Sequence, residues 1–188
     1  MKAIVVALTF TLLFSWELKK EENGIKVYTE KTVGSSYDVF KAETVLKKPF
    51  DYVKRQLLDF KNYPKWQKKI IRIEKKGGYL LKVLDFPFPF GDRFAFYKIK
   101  TEKLNKGFVI DMKSVRLIKL PKNVKAEFDI PSGVEMDDNV SFMIKETEKG
   151  VYVVYTAHVD PKGVPAFIFN SKIIRAAYET LDNFKRLK

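Results

Sequence analysis

The sequence predicts an α+β fold in which a curved antiparallel β-sheet wraps around one long C-terminal α-helix. Most strand-like segments alternate apolar and polar residues and are separated by Gly, Asn or Asp, as in antiparallel strands joined by short turns. One helical segment follows the first two strands, and a longer one ends the chain. A curved sheet of this kind encloses an internal apolar cavity where its inward side chains leave space unfilled.

The length and composition favour a single domain preceded by a targeting segment. At 188 residues the chain can bury a core without disulfides, and it has no cysteine, which excludes thiolate zinc sites and cysteine nucleophiles. Residues 1–15 are predicted to be a signal peptide, because Lys2 precedes an apolar run that is short for a membrane span. An uncleaved N-terminal anchor and a buried first element are the alternatives. The folded domain is then residues 16–188.

The N-terminal third is predicted to form a hairpin followed by a helix. Residues 24–33 and 38–46 alternate with period two around a turn at residues 34–36. Pro49 suits the first position of a helix, and residues 62–64 end it. The spacing of the apolar residues gives this helix one buried face, formed by Phe50, Val53, Leu57 and Phe60. Trp66 is expected to pack against it.

The remaining two thirds are predicted to form a run of strands and the final helix. Six further strands are expected at residues 69–74, 79–84, 93–102, 107–115, 139–146 and 151–159. Residues 122–138 read as an irregular connection with one short strand at most. After a tight turn at residues 160–163, the final helix is predicted from Pro165 to Leu187. Its apolar stripe consists of Ile173, Ile174, Ala177, Tyr178, Leu181 and Phe184.

Four stretches of the chain carry a resemblance to a known family. They are WEL at residues 16–18 with GIKVY at 24–28, residues 58–66 (LDFKNYPKW), PFPFGDR at 87–93, and DPKGVP at 160–165 followed by Asn170. In this order and spacing they resemble the START lipid-transfer domain of the helix-grip superfamily, over almost all of residues 16–188. One departure is visible, since the family often has Arg-Asp where this chain has Arg93-Phe94.

The resemblance implies a helix-grip fold with a ligand cavity between the sheet and the C-terminal helix. It is closest to the small bacterial members of the family, which are often exported, so the periplasm is the expected location. An N-terminally membrane-anchored protein is the alternative. The resemblance also makes the proline-rich loop and the start of the final helix the two candidate gates of the cavity.

The segment FPFPF at residues 86–90 is the most distinctive local feature. Its prolines keep the backbone extended and stiff. One interpretation is a core-facing edge segment. The other is a loop at the cavity rim that touches acyl chains or dips into a bilayer interface, since exposed apolar patches mark interaction sites.

Arg93 follows this loop and shares a strand face with Ala95, Tyr97 and Ile99. If that face is inward, Arg93 is a buried cation that needs a partner. Three alternatives stay open. The partner of Arg93 is a lipid phosphate or carboxylate, or it is Asp85 or Asp111, or Arg93 lies at the surface. The predicted ligand-binding residues are Phe86, Phe88, Phe90, Arg93, Tyr97, Phe167, Ile173, Ala177 and Tyr178.

The sequence offers little catalytic chemistry. His158 is the only histidine, so it cannot form a metal site alone, and it is expected to be half-exposed on its strand. Asp137 and Asp138 would point to opposite faces of a strand, and a solvated loop is the expected setting. We therefore expect neither a metal nor another cofactor, and no enzymatic activity.

The predicted function is non-enzymatic lipid binding or lipid transfer by a monomer. The net charge of +13, from 36 basic and 23 acidic residues, favours transient contact with an anionic membrane, although a simple solvated lysine-rich surface is the alternative. The basic residues are dispersed and no nucleic-acid-binding motif is present, so nucleic acid is not an expected partner. Two other functions remain open: an exported partner-binding or stress protein with an incidental pocket, and a cyclase/aromatase-like enzyme on the same scaffold.

Overall fold

A computed structural model describes residues 16–187, in which ten strands form one sheet and the longest helix ends the chain. The predicted signal peptide lies outside these residues. The strands are β1 (Glu17–Glu22), β2 (Ile25–Glu30), β3 (Val39–Leu46), β4 (Ile70–Lys76), β5 (Tyr79–Leu84), β6 (Arg93–Leu104), β7 (Gly107–Val115), β8 (Val134–Glu135), β9 (Asp137–Thr147) and β10 (Gly150–Asp160). The helices are α1 (Phe50–Leu58), α2 (Lys122–Glu127) and α3 (Ala166–Arg186).

The sheet is antiparallel along its main path and has the order β1-β2-β3-β10-β9-β7-β6-β5-β4. The short strand β8 lies off this path and pairs in parallel with β6. Six of the predicted strands, the first hairpin and the final helix are present with ends shifted by no more than a few residues. This arrangement of a large antiparallel sheet with a C-terminal helix confirms the predicted α+β helix-grip class.

Period-two alternation accounts for the central strands. On β10 the odd-numbered residues Val151, Val153, Ala157 and Val159 are buried in the main core, whereas the even-numbered ones are partly exposed. Strand β1 was not predicted as a separate strand. Its sequence ELKKEE is charged and mostly exposed, as expected for an edge strand that must not recruit another chain.

Helix α1 begins at Phe50, directly after Pro49, and buries Val53 and Leu57 as predicted. It ends at Leu58, before the predicted stop at residues 62–64, so the buried Phe60 lies outside it. A 3₁₀ helix at Phe60–Lys65 follows it and delivers Trp66 to the core. Trp66 is fully buried, and its ring contacts the rings of Tyr63, Phe142 and Phe184 at centroid distances of 4.4, 5.7 and 4.7 Å. It therefore packs between the 3₁₀ helix, the sheet and α3, whereas its predicted contact with α1 stays a prediction.

Helix α3 lies against the inner face of the sheet, mainly at β2 and β3. Its buried residues are Phe169, Ala177, Tyr178, Leu181 and Phe184, and Ile173 and Ile174 pack partly buried against the same core. No helix among residues 16–187 is long and apolar enough to cross a membrane.

A second, smaller apolar cluster lies on the outer face of β5 and β6. The side chains of Leu81, Val83, Phe94 and Phe96 alternate with the inward ones and pack against Leu120, Val124 and Phe128. The covering segment contains α2 and β8, and it occupies the stretch that was predicted to be irregular with one short strand. The short strand is confirmed, and the one-and-a-half-turn helix α2 was not predicted.

The outer cluster should contribute measurably to stability. Phe96 is fully buried and its ring lies edge-on to Phe128 at 5.2 Å, so Phe96→Ala should lower the free energy of unfolding by about 3–5 kcal/mol. A double-mutant cycle with Phe128→Ala should give a coupling of about 0.5–1.5 kcal/mol in urea unfolding. Ile118→Ala is the control, because Ile118 is 87% exposed in the same segment. Additive losses for the two phenylalanines would contradict the packing.

Candidate ligand-binding site

Arg93 connects the proline-rich loop to the turn before α3. Its Nε donates to the carbonyl oxygen of Pro161 at 2.5 Å, and one Nη donates to that of Lys162 at 3.0 Å. The other Nη donates to the carbonyl oxygens of Phe90, Gly91 and Asp92. One guanidinium therefore joins the two segments that the resemblance marks as candidate gates.

Arg93 is a buried cation, with 3% of its surface exposed, so the predicted surface position is wrong. Its acceptors are backbone carbonyls, whereas the internal ion pair was expected to use Asp85 or Asp111. Asp85 instead pairs with Lys69 at 3.5 Å. Burial lowers the pKa of Arg93, but an arginine stays charged at any physiological pH. The five carbonyl oxygens thus compensate its desolvation.

The loop between β2 and β3 anchors the same end of α3. The Tyr37 hydroxyl donates to the carbonyl oxygen of Val164 at 2.7 Å. Asn170 accepts from the backbone N–H of Asp38 and donates to the carbonyl oxygen of Ser36, both at 3.1 Å. The Tyr37 ring also lies edge-on to Phe169 at 5.6 Å. Three segments therefore converge around the start of α3: the β2–β3 loop, the β5–β6 loop and the turn at residues 160–165.

The β2–β3 loop, the β5–β6 loop and the first turn of α3 each carry a large apolar side chain in solvent. Phe88 is 97% exposed, Val33 81% and Phe167 77%. We call these three residues the rim. Val33 was not among the predicted site residues, because one valine in a polar turn gives no sequence signal before the fold brings it beside the other two segments.

The two ends of the FPFPF segment face the core and its middle is exposed, so each of the two interpretations from the sequence applies to part of it. Phe86 and Phe90 are partly buried against the main core, and the Phe86 ring lies 5.5 Å from the guanidinium of Arg93. Phe88, between them, projects into solvent. The loop is therefore fixed at both ends and exposes its tip.

A polar cluster lies on the inner face of the sheet, behind this junction. Lys82 alternates with the outward Leu81 and Val83, so it points inward, where its Nζ lies 2.5 Å from the Asp138 carboxylate. The Tyr97 hydroxyl donates to the same carboxylate oxygen, and the Lys82 ammonium lies 4.8 Å from the Tyr97 ring centre. Lys82 is 5% exposed and Asp138 3%.

The expectation of a solvated loop at Asp137 and Asp138 is wrong for Asp138. Strand β9 begins at Asp137, two residues earlier than predicted, and it carries Asp138 into the core. The predicted opposite orientation of the two carboxylates is confirmed. Asp137 points outward and pairs with Lys162 at 2.7 Å and with Arg116 at 3.6 Å.

The carboxylate of Asp138 is only half satisfied. Its Oδ2 atom accepts from Lys82 and Tyr97, whereas its Oδ1 atom is buried and has no hydrogen-bond partner among the described residues. A buried polar atom left in this state costs free energy. Burial and then the Asp138 charge raise the pKa of Tyr97, so its hydroxyl remains a proton donor.

Tyr155 lies near this cluster in the middle of the inner face. It occupies central strand β10 between the buried residues Val153 and Ala157, and its ring stacks on Phe142 at 4.4 Å. Unlike those neighbours it keeps part of its surface accessible. Burial and then the Asp138 charge raise its pKa. Its hydroxyl has no hydrogen-bond partner within residues 16–187.

The nine predicted ligand-binding residues fall into four places. Phe86, Phe88, Phe90, Arg93 and Phe167 lie around the start of α3, and Tyr97 belongs to the inner cluster. Ile173 lies partly buried on α3, beyond the rim. Ala177 and Tyr178 lie further along, where Tyr178 accepts a hydrogen bond from Asn23 at 2.8 Å. Tyr178 therefore packs at the β1–β2 hairpin and not beside the proline-rich loop.

Two surface depressions lie apart from α3, since none of their lining residues belongs to it. One of about 530 Å³ lies between the end of α1 and β4, and one of about 410 Å³ lies beside the β9–β10 turn.

His158 is half-buried on β10, with its Nε2 atom 3.0 Å from the Ser35 hydroxyl. Within the described residues, no group of three or more histidine, aspartate or glutamate side chains could hold a metal ion.

The fold is that of START lipid-transfer domains. A crystal structure of a STAR-related lipid transfer protein from Xanthomonas axonopodis superposes with a TM-score of 0.74, at 24% identity, over 90% of this chain and 96% of that one. Human STARD10 superposes with a TM-score of 0.77, at 18% identity, over 91% and 71% of the two chains. No family model matches the chain. An uncharacterised protein of Pseudomonas aeruginosa is 25% identical over 177 residues, which cover 90% of this chain and 85% of that protein.

Arg93→Lys should loosen both segments that Arg93 joins. A lysine has three donors on a single nitrogen and cannot span carbonyls on two segments, so some buried acceptors would lose their partners. We expect faster amide hydrogen exchange at residues 85–92 and 160–166 together. Arg116→Lys, at a half-exposed outer position, is the control and should leave both segments unchanged. Faster exchange in only one segment would show that Arg93 does not couple them.

The Lys82–Asp138 pair should behave as a buried ion pair in unfolding measurements. Asp138→Ala leaves Lys82 buried without a counter-ion and should cost about 3–5 kcal/mol. The double variant Lys82→Met/Asp138→Leu removes both charges and should recover most of that loss, because apolar replacements of buried pairs are often neutral. A double variant that is no more stable than Asp138→Ala would contradict the pairing.

Proposed function

We propose that this protein binds an apolar ligand, such as a lipid, between its sheet and α3 and carries it without chemical change. The observation that carries the proposal is the rim: Val33 and Phe88 are exposed on two loops that converge at the start of α3, and Phe167 is exposed on the first turn of α3. Exposed apolar side chains that lie together mark a surface that binds an apolar partner. The fold shared with proteins named for lipid transfer supports the same function.

In the proposed mechanism the rim dips into a membrane and the β5–β6 loop separates from the start of α3 to admit the ligand. The ligand tail then leaves water for the inner face, where each buried methylene contributes about 0.8 kcal/mol. A fourteen-carbon chain therefore supplies on the order of 10 kcal/mol before the costs of ordering are subtracted. The accessible surface of Tyr155, in the middle of the inner face, supports a space that a ligand could enlarge.

The proposal also covers where the protein acts and its oligomeric state. The net charge of +13 favours docking to an anionic membrane surface, and export to a bacterial periplasm would place the protein beside such surfaces. The protein would act as a monomer, without a cofactor. The two depressions described above do not lie between the sheet and α3, which favours one alternative, in which the rim is a docking site for an apolar protein partner and the protein carries no ligand.

Native mass spectrometry of the protein, purified without detergent from its own cells, tests this function directly. A stoichiometric co-purified lipid would support carriage and would identify the ligand as a sterol, phospholipid, fatty acid, hopanoid or quinone. The same spectrum reports the oligomeric state and the position of the N-terminus. A ligand-free mass that persists after incubation with liposomes would contradict lipid carriage and favour the partner-binding alternative.

The rim should govern membrane contact. The triple variant Val33→Ser/Phe88→Ser/Phe167→Ser removes three exposed apolar side chains, so co-flotation with anionic liposomes should fall by about tenfold or more. Leu104→Ser is the matched control, because Leu104 is an exposed apolar residue at the opposite end of β6, roughly 36 Å along the strand from Arg93. Equal loss in the control, or no loss in the triple variant, would exclude the rim as the contact surface.

A further inference from the structure

We propose that the free edge of β4, together with the groove beside it, is a docking surface for an extended acidic peptide segment of a partner protein. The segment would pair with β4 and continue the sheet by one strand, which is a common mode of peptide recognition. This surface is separate from the rim, and the inference does not depend on ligand carriage.

Strand β4 ends the sheet and leaves one row of its backbone groups unpaired. It pairs with β5 alone, and the backbone of residues 71–76 makes no other hydrogen bond within residues 16–187. Ile71, on the same strand, is 56% exposed. A row of free N–H and C=O groups of this kind is a template for another strand.

The depression of about 530 Å³ between the end of α1 and β4 runs along this edge. Four consecutive residues of β4, at positions 73–76, line it. Consecutive side chains of a strand point to opposite faces, so a depression on one face of the sheet would be lined mainly by alternate residues. Two buried residues, Phe60 and Leu80, and the exposed Leu58 give the groove an apolar lining for the side chains of an added strand.

The two acidic residues that line the groove already have partners. Glu74 accepts from Arg72 at 2.6 Å and lies 2.9 Å from the ammonium group of Lys76. Asp59 accepts a hydrogen bond from Asn62. The groove therefore has no free acid that would attract a basic peptide.

Two lysines of the groove, in contrast, lack a counter-ion. Lys61 and Lys75 are exposed and form no ion pair within residues 16–187, although the Lys75 ammonium lies 5.5 Å from the centre of the Phe60 ring. Residues 61–76 contain seven basic residues and one acidic residue, and so carry +6 of the net charge of +13. An acidic strand complements this charge, whereas a second copy of β4 would bring like charges together.

The groove and the rim lie at opposite ends of β5. Leu80 pairs with Lys75 beside the groove, and Leu84 lies four residues further on, which corresponds to about 13 Å along the strand. The proline-rich loop follows Leu84. A partner in the groove would therefore leave the rim free.

Three peptides test the charge and the backbone pairing separately. The first is a labelled heptapeptide of alternating valine and glutamate, and its binding to the purified protein is measured by fluorescence anisotropy at low ionic strength. We expect it to bind about tenfold more tightly than the same peptide with lysine in place of glutamate, and added salt should reduce this ratio. The third peptide keeps the glutamates but is methylated at two adjacent central amide nitrogens, so it lacks one donor on each of its edges. It should bind about tenfold more weakly than its parent.

Amide hydrogen exchange, followed by NMR residue by residue, locates the bound peptide. The alternate amides of β4 that face away from β5 should exchange about tenfold more slowly in the complex. Strand β1 is the internal control, because it is the other edge of the sheet and its ELKKEE sequence has no excess of basic residues. Its amides should keep their rates.

Two charge variants then assign the preference to the groove. Lys61→Gln/Lys75→Gln should weaken binding of the glutamate peptide about tenfold, because it removes both unpaired cations. Lys113→Gln/Lys145→Gln removes the same charge from exposed positions on β7 and β9 and should change the affinity less than about twofold. All four lysines are exposed, so neither variant should disturb folding.

Several results would overturn the inference. They are no binding of the glutamate peptide, equal binding of the glutamate and lysine peptides, equal binding of the methylated peptide and its parent, and slowed exchange at β1 instead of β4. A further one is a Lys61→Gln/Lys75→Gln variant that binds the peptide normally but floats less with anionic liposomes, since these lysines would then serve membrane contact. None of these results bears on whether the protein carries a ligand.

Discussion

The strong curvature of the sheet is the constraint on which the other features depend. Strands β5 and β9 are separated by β6 and β7, which in a flat sheet would place them about 14 Å apart. Lys82 on β5 nevertheless reaches Asp138 on β9 at 2.5 Å. A sheet that curves to this degree has a concave face that a single helix can cover. The helix, its anchoring loops and the inner polar cluster all follow from that shape.

The same curvature explains why the sequence predicted the strands better than the site. Strands such as β5 and β7 depend on alternation along the chain, which is local, and their predicted and observed ends coincide. Strand β1 lacks alternation because its residues are charged and lie at the edge of the sheet. Helix α2 is short, and it forms because its Val124 covers an outer apolar cluster that no local pattern announces.

The contacts of the site come from residues that are far apart in the chain. Lys82 and Asp138 are 56 positions apart, and their encounter requires three intervening strand pairings as well as the bend of the sheet. The sequence left Arg93 open as a ligand contact, an ion-paired buried cation or a surface residue, and its observed partners are backbone carbonyls, which every residue possesses. Some backbone carbonyls accept a hydrogen bond from Arg93 and others pair within a strand. No sequence pattern tells the two kinds apart. The membership of Val33 and Phe167 in the rim likewise becomes visible only when the fold brings their segments together.

The chemistry of the junction limits how the proposed gate can open. Burial lowers the pKa of Arg93, yet its guanidinium remains protonated throughout the physiological range, so a change of pH cannot release the carbonyl oxygens that it binds. Opening therefore requires a force that separates the two segments or a competitor for the guanidinium. In the proposed function the rim would supply the first, because apolar side chains on both segments would gain free energy by entering a bilayer. An anionic lipid phosphate would supply the second by accepting from Arg93 in place of the carbonyls. Both act only at a membrane, which would keep the gate closed while the protein crosses water.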